Sequence, residues 1–233
     1  PVFLGAAAMR ALSGEKREAA NFLASTLTEI SLGLGKVKLN VTGEEHLWSA
    51  RPAVFIWNHR SILDAQIVGR LVQRDFGAVA KKELEKAPLF AAASRFMHIA
   101  FVDRSDSRAA IEALEPATRL LGEGISMLVA PEGTRVAGKG IGEFKKGAFR
   151  MAMAAKVPVV PIVIRNVDDI GARASGTMRP GVVDVAVLPP VPVAEWTLRD
   201  LDRRIAGVRQ QFVDTLENWH RPPVRNPGAR RHK

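Results

Sequence analysis

Apolar residues recur along this chain in two alternating rhythms, one close to every fourth position and one shorter. Residues 1–34 keep the helical rhythm with a break at Ser13-Gly14, and Phe22, Leu23, Leu27, Ile30 and Leu34 form its apolar stripe. Such a stripe either packs on a domain or lies in a membrane interface. Val37-Lys38-Leu39-Asn40-Val41 alternates as a strand does. Ala53-Val54-Phe55-Ile56-Trp57 is unbroken, the form of a strand buried on both faces, after which Ile62, Leu63, Ile67, Val68 and Leu71 return to helical spacing. Further strands are expected over 77–80, 99–102, 126–130, 157–164 and 181–188. Helices are expected within 87–98, over 107–121, near 145–155 and after Thr197, where Leu198, Leu201, Ile205, Val208, Phe212, Leu216 and Trp219 follow a Thr197-x-x-Asp200 capping box.

This order predicts a single α/β domain with a mixed, largely parallel sheet flanked by helices, preceded by N-terminal amphipathic helices. Chemistry in such sheets gathers beyond the carboxyl ends of the strands. Three polar motifs each follow a predicted strand: Asn58-His59-Arg60-Ser61-Ile62-Leu63-Asp64, Phe101-Val102-Asp103-Arg104, and Pro131-Glu132-Gly133-Thr134-Arg135.

His59 and Asp64 stand five positions apart at a strand-to-helix turn. A carboxylate holding one ring nitrogen fixes the tautomer and leaves the other nitrogen to take a proton from a hydroxyl. The same spacing also occurs at ordinary helix starts, so the motif alone does not establish catalysis. Arg104 and Arg135 are five-donor forks suited to a phosphate, and Gly133 and Thr134 offer close backbone approach and a hydroxyl. Lys81, at the end of a predicted strand, could add a point charge or be a plain surface cation.

Charge and composition narrow the chemistry. The 233 residues carry a net +10, which points to an acidic partner. With no Tyr and few Phe and Trp, stacking platforms for single-stranded nucleic acid are not expected. No Cys exists to serve as a thiol nucleophile, and the five His form no metal-ligand cluster. No window is long and apolar enough to span a membrane. Residues 221–233 are basic without acids, expected as a solvated, disordered tail. The chain begins at Pro1 rather than Met, which leaves room for an upstream fused domain.

Taken in order, Asn58-His59-x-Ser61-x-x-Asp64, Phe101–Arg104, Pro131–Arg135 and Val157-Pro158-Val159-Val160-Pro161 resemble the four motifs of the glycerolipid acyltransferases. The resemblance covers roughly residues 36–190 and is nearest to the 1-acyl-sn-glycerol-3-phosphate (lysophosphatidate) acyltransferases. It implies a glycerol-3-phosphate acyltransferase-like domain over 35–220 and acyl transfer from acyl-CoA or acyl carrier protein, with no cofactor. His59 would act as general base and Asp64 would orient it. Arg104, Arg135 and Lys81 would hold the acceptor phosphate in a pocket shaped by Glu132, Gly133 and Thr134. The implied setting is peripheral, on the anionic cytoplasmic face of the cell membrane, with 1–34 as a membrane-associating segment. Nucleic acid is not an expected partner. Two departures, His98 where the family often has Gly and Ala130 where it often has Phe, leave the acceptor open: glycerol 3-phosphate, another lysophospholipid or a glycolipid. A catalytically silent, basic lipid-binding module is the alternative outside enzymology.

Overall fold

A computed structural model describes residues 2–13, 16–94, 97–103, 107–136, 138, 140–171 and 178–219. Its strands are β1 (Val37–Thr42), β2 (Val54–Trp57), β3 (Phe76–Lys81), β4 (His98–Val102), β5 (Ser126–Val129), β6 (Val159–Ile164) and β7 (Gly181–Val187). Its helices are α1 (Val2–Ser13), α2 (Lys16–Leu34), α3 (Asp64–Val72), α4 (Pro88–Ala93), α5 (Ser107–Gly122), α6 (Gly147–Ala155), α7 (Val167–Ile170) and α8 (Leu201–Glu217). The strands form one sheet in the order β1-β7-β6-β2-β5-β3-β4. From β6 to β4 every neighbour is parallel; β7 runs antiparallel to β6, and β1 pairs parallel with β7.

The central strands are apolar throughout because each buries both faces. On one side Phe55, Trp57, Ile162 and Ile164 meet Ile67, Val68 and Leu71 of α3 and Ala24 and Leu32 of α2. On the other, Val54, Ile56, Met127 and Val163 meet Ala117 and Leu121 of α5, Phe149 of α6, and Leu201, Ile205 and Phe212 of α8. The period-two alternation of each strand thus feeds two separate cores. Pro161 is tolerated inside β6 because its ring nitrogen lies on the β7 side, where Pro189 and Pro190 interrupt the partner, while its carbonyl accepts the Leu188 N–H at 2.9 Å. Ahead of α8, the Asp200 carboxylate reaches back to the Thr197 N–H at 2.8 Å, the acid half of the expected box. That bond and the one from Arg204 hold its carboxyl down at about 2.

Five parallel strands present their carboxyl ends on one edge, so the turns after β2, β3, β4 and β5 share it. His98 does not. It opens β4 and pairs with Gly77, which is level with Met127 and, through it, with Val54 at the start of β2. Three residues of strand rise separate that level from Trp57, roughly 10 Å. His98 therefore lies away from the edge that carries His59. The close pairing accounts for Gly77, where an added Cβ would stand 2.5 Å from the His98 carbonyl oxygen.

Helix α2 packs on the domain through one part of its apolar stripe. Ala19 and Leu23 are fully buried, and Arg17 and Asn21 both donate to Asp75 just before β3, at 2.6 and 3.0 Å. At the far end Ser31 bonds to Gln66 of α3. Ile30 and Leu34 nevertheless stay exposed, as does Leu4 of α1. Leu23→Ala should therefore lower unfolding free energy by about 2–5 kcal/mol in a urea titration. Ile30→Ala should change it by less than about 0.5 kcal/mol. Equal small effects would mean the helix does not belong to the folded core.

Candidate active site

The segment after β2 turns sharply because one carboxylate gathers it. Asp64 is fully buried at the first turn of α3, and its Oδ2 accepts the Arg60 N–H at 2.6 Å, the Ser61 N–H at 2.8 Å and His59 Nδ1 at 2.9 Å. An ionised carboxylate only accepts, so the proton on that side sits on Nδ1 and Nε2 keeps its lone pair. The His59 side chain is 21 % exposed, within reach of a substrate. The Trp57 ring stands edge-on to it at 6.3 Å.

A second buried carboxylate fixes the histidine main chain. Glu132 Oε1 accepts the His59 N–H at 2.7 Å, and Oε2 accepts the Gly142 N–H at 2.6 Å. Burial raises the Glu132 pKa, and the two backbone N–H groups oppose that rise. The Val136 N–H closes the circuit onto the His59 carbonyl at 2.9 Å, so the β2 and β5 turns are bonded in both directions. Gly142 is needed for this approach: a Cβ there would stand 2.7 Å from Glu132 Oε2.

Three more residues anchor the turn. Asn58, fully buried, exchanges hydrogen bonds with the Ile164 carbonyl and N–H, both at 2.8 Å, and so extends the pairing of β2 with β6 by one residue. Ser61 Oγ donates to the Gly171 carbonyl at 2.9 Å. Arg60 is buried and donates to the Arg165 carbonyl at 3.4 Å, with Asp168 3.8 Å away. The pattern gives one cue: polar residues directly after a wholly apolar strand must find partners inside.

The expected phosphate groups fall on the same edge in unequal positions. Gly133 has φ +73° and closes a turn by donating its N–H to the Ala130 carbonyl at 3.1 Å. Thr134 is exposed, and half-buried Arg135 precedes the residue that bonds His59. Lys81 ends β3, two strands from β2, so about 10 Å separates the backbones. Its amine pairs with Glu83 at 2.7 Å in an exposed, water-screened contact that a phosphate could displace. Glu132 faces inward on two N–H groups, so it shapes the loop rather than touching an anion. Arg104 lies outside the described residues, as does the basic tail 221–233. Among the described residues no His, Asp and Glu cluster could hold a metal, and no helix is long and apolar enough to cross a membrane.

This arrangement can remove a proton from a bound hydroxyl next to a cationic surface. Comparison with known proteins identifies the family. A protein from Saccharomyces cerevisiae named 1-acyl-sn-glycerol-3-phosphate acyltransferase is 32% identical over 201 residues, 85% of this chain and 65% of its own length. The human 1-acyl-sn-glycerol-3-phosphate acyltransferase alpha is 32% identical over 178 residues, 76% of this chain and 63% of its own. A Limnanthes alba protein of the same name is 29% identical over 187 residues, 80% of this chain and 66% of its own. The chain thus spans just under two thirds of these curated relatives. The crystal structure of the 1-acyl-sn-glycerophosphate (LPA) acyltransferase PlsC from Thermotoga maritima superposes with a TM-score of 0.73 at 22% identity, covering 95% of each chain, and shares the fold. Residues 38–165 match the acyltransferase family model, more than half of the chain, and carry the His59, Asp64 and Glu132 circuit; the chain belongs to the acyltransferase family.

Proposed function

We propose that this protein acylates the free hydroxyl of a 1-acyl-sn-glycerol 3-phosphate to give phosphatidate, using acyl-CoA or acyl carrier protein as donor. The observation that carries the reading is the buried Asp64 carboxylate on His59 Nδ1, at the carboxyl edge of a family-typical sheet. The names of the relatives supply the acceptor.

In this mechanism His59 Nε2 takes the acceptor hydroxyl proton as the oxygen attacks the thioester carbonyl. The tetrahedral intermediate then collapses with cleavage of the C–S bond. The thiolate leaves with the proton held by the imidazolium, giving an ester and a free thiol. Asp64 stabilises the imidazolium while it exists. The chain has no cysteine, so a thiol acyl-enzyme plays no part. Arg135, with Lys81 and Arg104, holds the acceptor phosphate, and Gly133 and Thr134 shape that pocket. No cofactor is required.

The acceptor is a lipid, so we place the enzyme peripherally on the anionic cytoplasmic face of a membrane, the side on which both donors are held. The exposed Leu4, Ile30 and Leu34 and the net +10 charge suit that surface.

Thiol release from acyl-CoA should depend on added lysophosphatidate and fall about 10²–10⁴-fold in His59→Ala and in Asp64→Asn. Turnover that survives both substitutions would sink the mechanism. Glu132→Gln should lower kcat by about 10–100-fold, since the amide presents an N–H to one of two N–H donors that need an acceptor. Wild-type kcat in that variant would show that Glu132 is dispensable. With one acyl-CoA, a panel of lysophosphatidate, glycerol 3-phosphate, lysophosphatidylcholine and a glycolipid should give its highest kcat/KM for lysophosphatidate; preference for another acceptor would replace the substrate named here.

A further inference from the structure

The circuit around His59 does not end at Glu132. The Gly142 N–H that Glu132 accepts belongs to the Ile141–Gly142 peptide group, and the carbonyl of that same group accepts Arg209 Nη2 at 2.5 Å. Arg209 Nε donates in parallel to the next carbonyl, Gly142, at 2.8 Å. A trans peptide is planar, with C=O and N–H pointing in opposite directions. Fixing the oxygen from one side therefore aims the N–H on the other. The charged guanidinium also polarises the group it holds, which strengthens its N–H as a donor to Glu132.

Arg209 sits on α8, about forty residues beyond the matched stretch 38–165. The same helix grips the loop elsewhere. Phe212 meets the Phe144 ring edge-on at 5.2 Å, and Asp202 pairs with Lys146 at 2.7 Å. Those contacts hold position, whereas the Arg209 Nη2 bond sets the direction of the Ile141–Gly142 peptide dipole and the Nε bond fixes the next carbonyl beside it. A lysine could reach one carbonyl as a point charge but could not span both.

We propose that Arg209 is a positioning residue for the acyl transfer: it orients the Ile141–Gly142 peptide so that Glu132 holds the main chain of His59 in its reactive place. This rests on the function proposed above. The predicted consequence is a fall in kcat without a matching change in substrate affinity, because Arg209 acts through the Ile141 and Gly142 carbonyls.

The test compares Arg209→Ala, Arg209→Lys and Arg204→Ala in the full chain; Arg204 is on the same helix but bonds to Asp200 at its start and lies over the Trp196 ring. Arg209→Ala should lower kcat about tenfold or more with KM for both substrates within about twofold, Arg209→Lys should recover part of the loss, and Arg204→Ala should match wild type. In a Glu132→Gln background, Arg209→Ala should add little, because both act through one hydrogen bond. An unchanged kcat in Arg209→Ala, or effects that multiply in the double variant, would overturn the proposal. Amide hydrogen exchange gives a readout independent of turnover: His59 and Gly142 should exchange faster in Arg209→Ala, with Met127 and Leu128 of β5 unchanged. If wild type shows no acyl transfer, the proposed function fails while exchange still decides the role of Arg209; unaltered exchange at His59 and Gly142 would refute it.

Discussion

The convergence of three donors on one oxygen of Asp64 is the interaction on which the site depends. A carboxylate with no solvent exposure is expensive to ionise unless hydrogen bonds replace its water. Here the Arg60 and Ser61 N–H groups and the His59 ring supply them to Oδ2, while Oδ1 is buried with no hydrogen-bond partner among the described residues. Those two N–H groups lie in the turn that leaves β2, so meeting the needs of the charge and folding the turn are one event. The imidazole is then held by a group that cannot move without unmaking the turn.

Glu132 repeats the logic one strand away. It too is buried, and it too is satisfied by main-chain N–H groups, from His59 and Gly142. One carboxylate orients the histidine ring and the other its backbone. Because β5 lies directly beside β2, the turn that carries Glu132 reaches His59 without a long excursion. The parallel sheet thereby brings residues 73 positions apart within hydrogen-bond distance.

Much of this architecture was legible in the chain. The unbroken apolar runs marked β2, β5 and β6 because a central parallel strand buries both faces, and His59 and Asp64 could be paired because their spacing is local. The rest depended on register and long-range partners. Nothing near Glu132 says that its carboxylate turns inward to a backbone donor beyond another strand; its neighbours in the chain suggest only a phosphate pocket wall. His98 followed a plausible helix and preceded a strand, but its depth along the sheet is set by pairing with Gly77, which no periodicity reveals. The stripe on α2 fitted packing and membrane contact alike, and the fold divides it: Leu23 inward, Ile30 and Leu34 outward.

The way both carboxylates are neutralised bears on what the site can bind. A phosphate-binding edge needs cations, and arginines that served Asp64 and Glu132 would be spent inside the protein. The hydrogen bonds to both acids come instead from peptide N–H groups and one imidazole. Peptide dipoles stabilise a buried anion without contributing net charge, so the formal charge balance of the edge is left to residues such as Lys81 and Arg135. Arginine acts on this circuit in two places: the charge of the buried Arg60 opposes the rise in the Glu132 pKa, and Arg209, one step back, holds a carbonyl rather than a carboxylate. The loop between the third motif and α6 is therefore fixed by peptide N–H groups on Glu132 and by Arg209 on two of its carbonyls, so no cation has to hydrogen-bond the carboxylate itself.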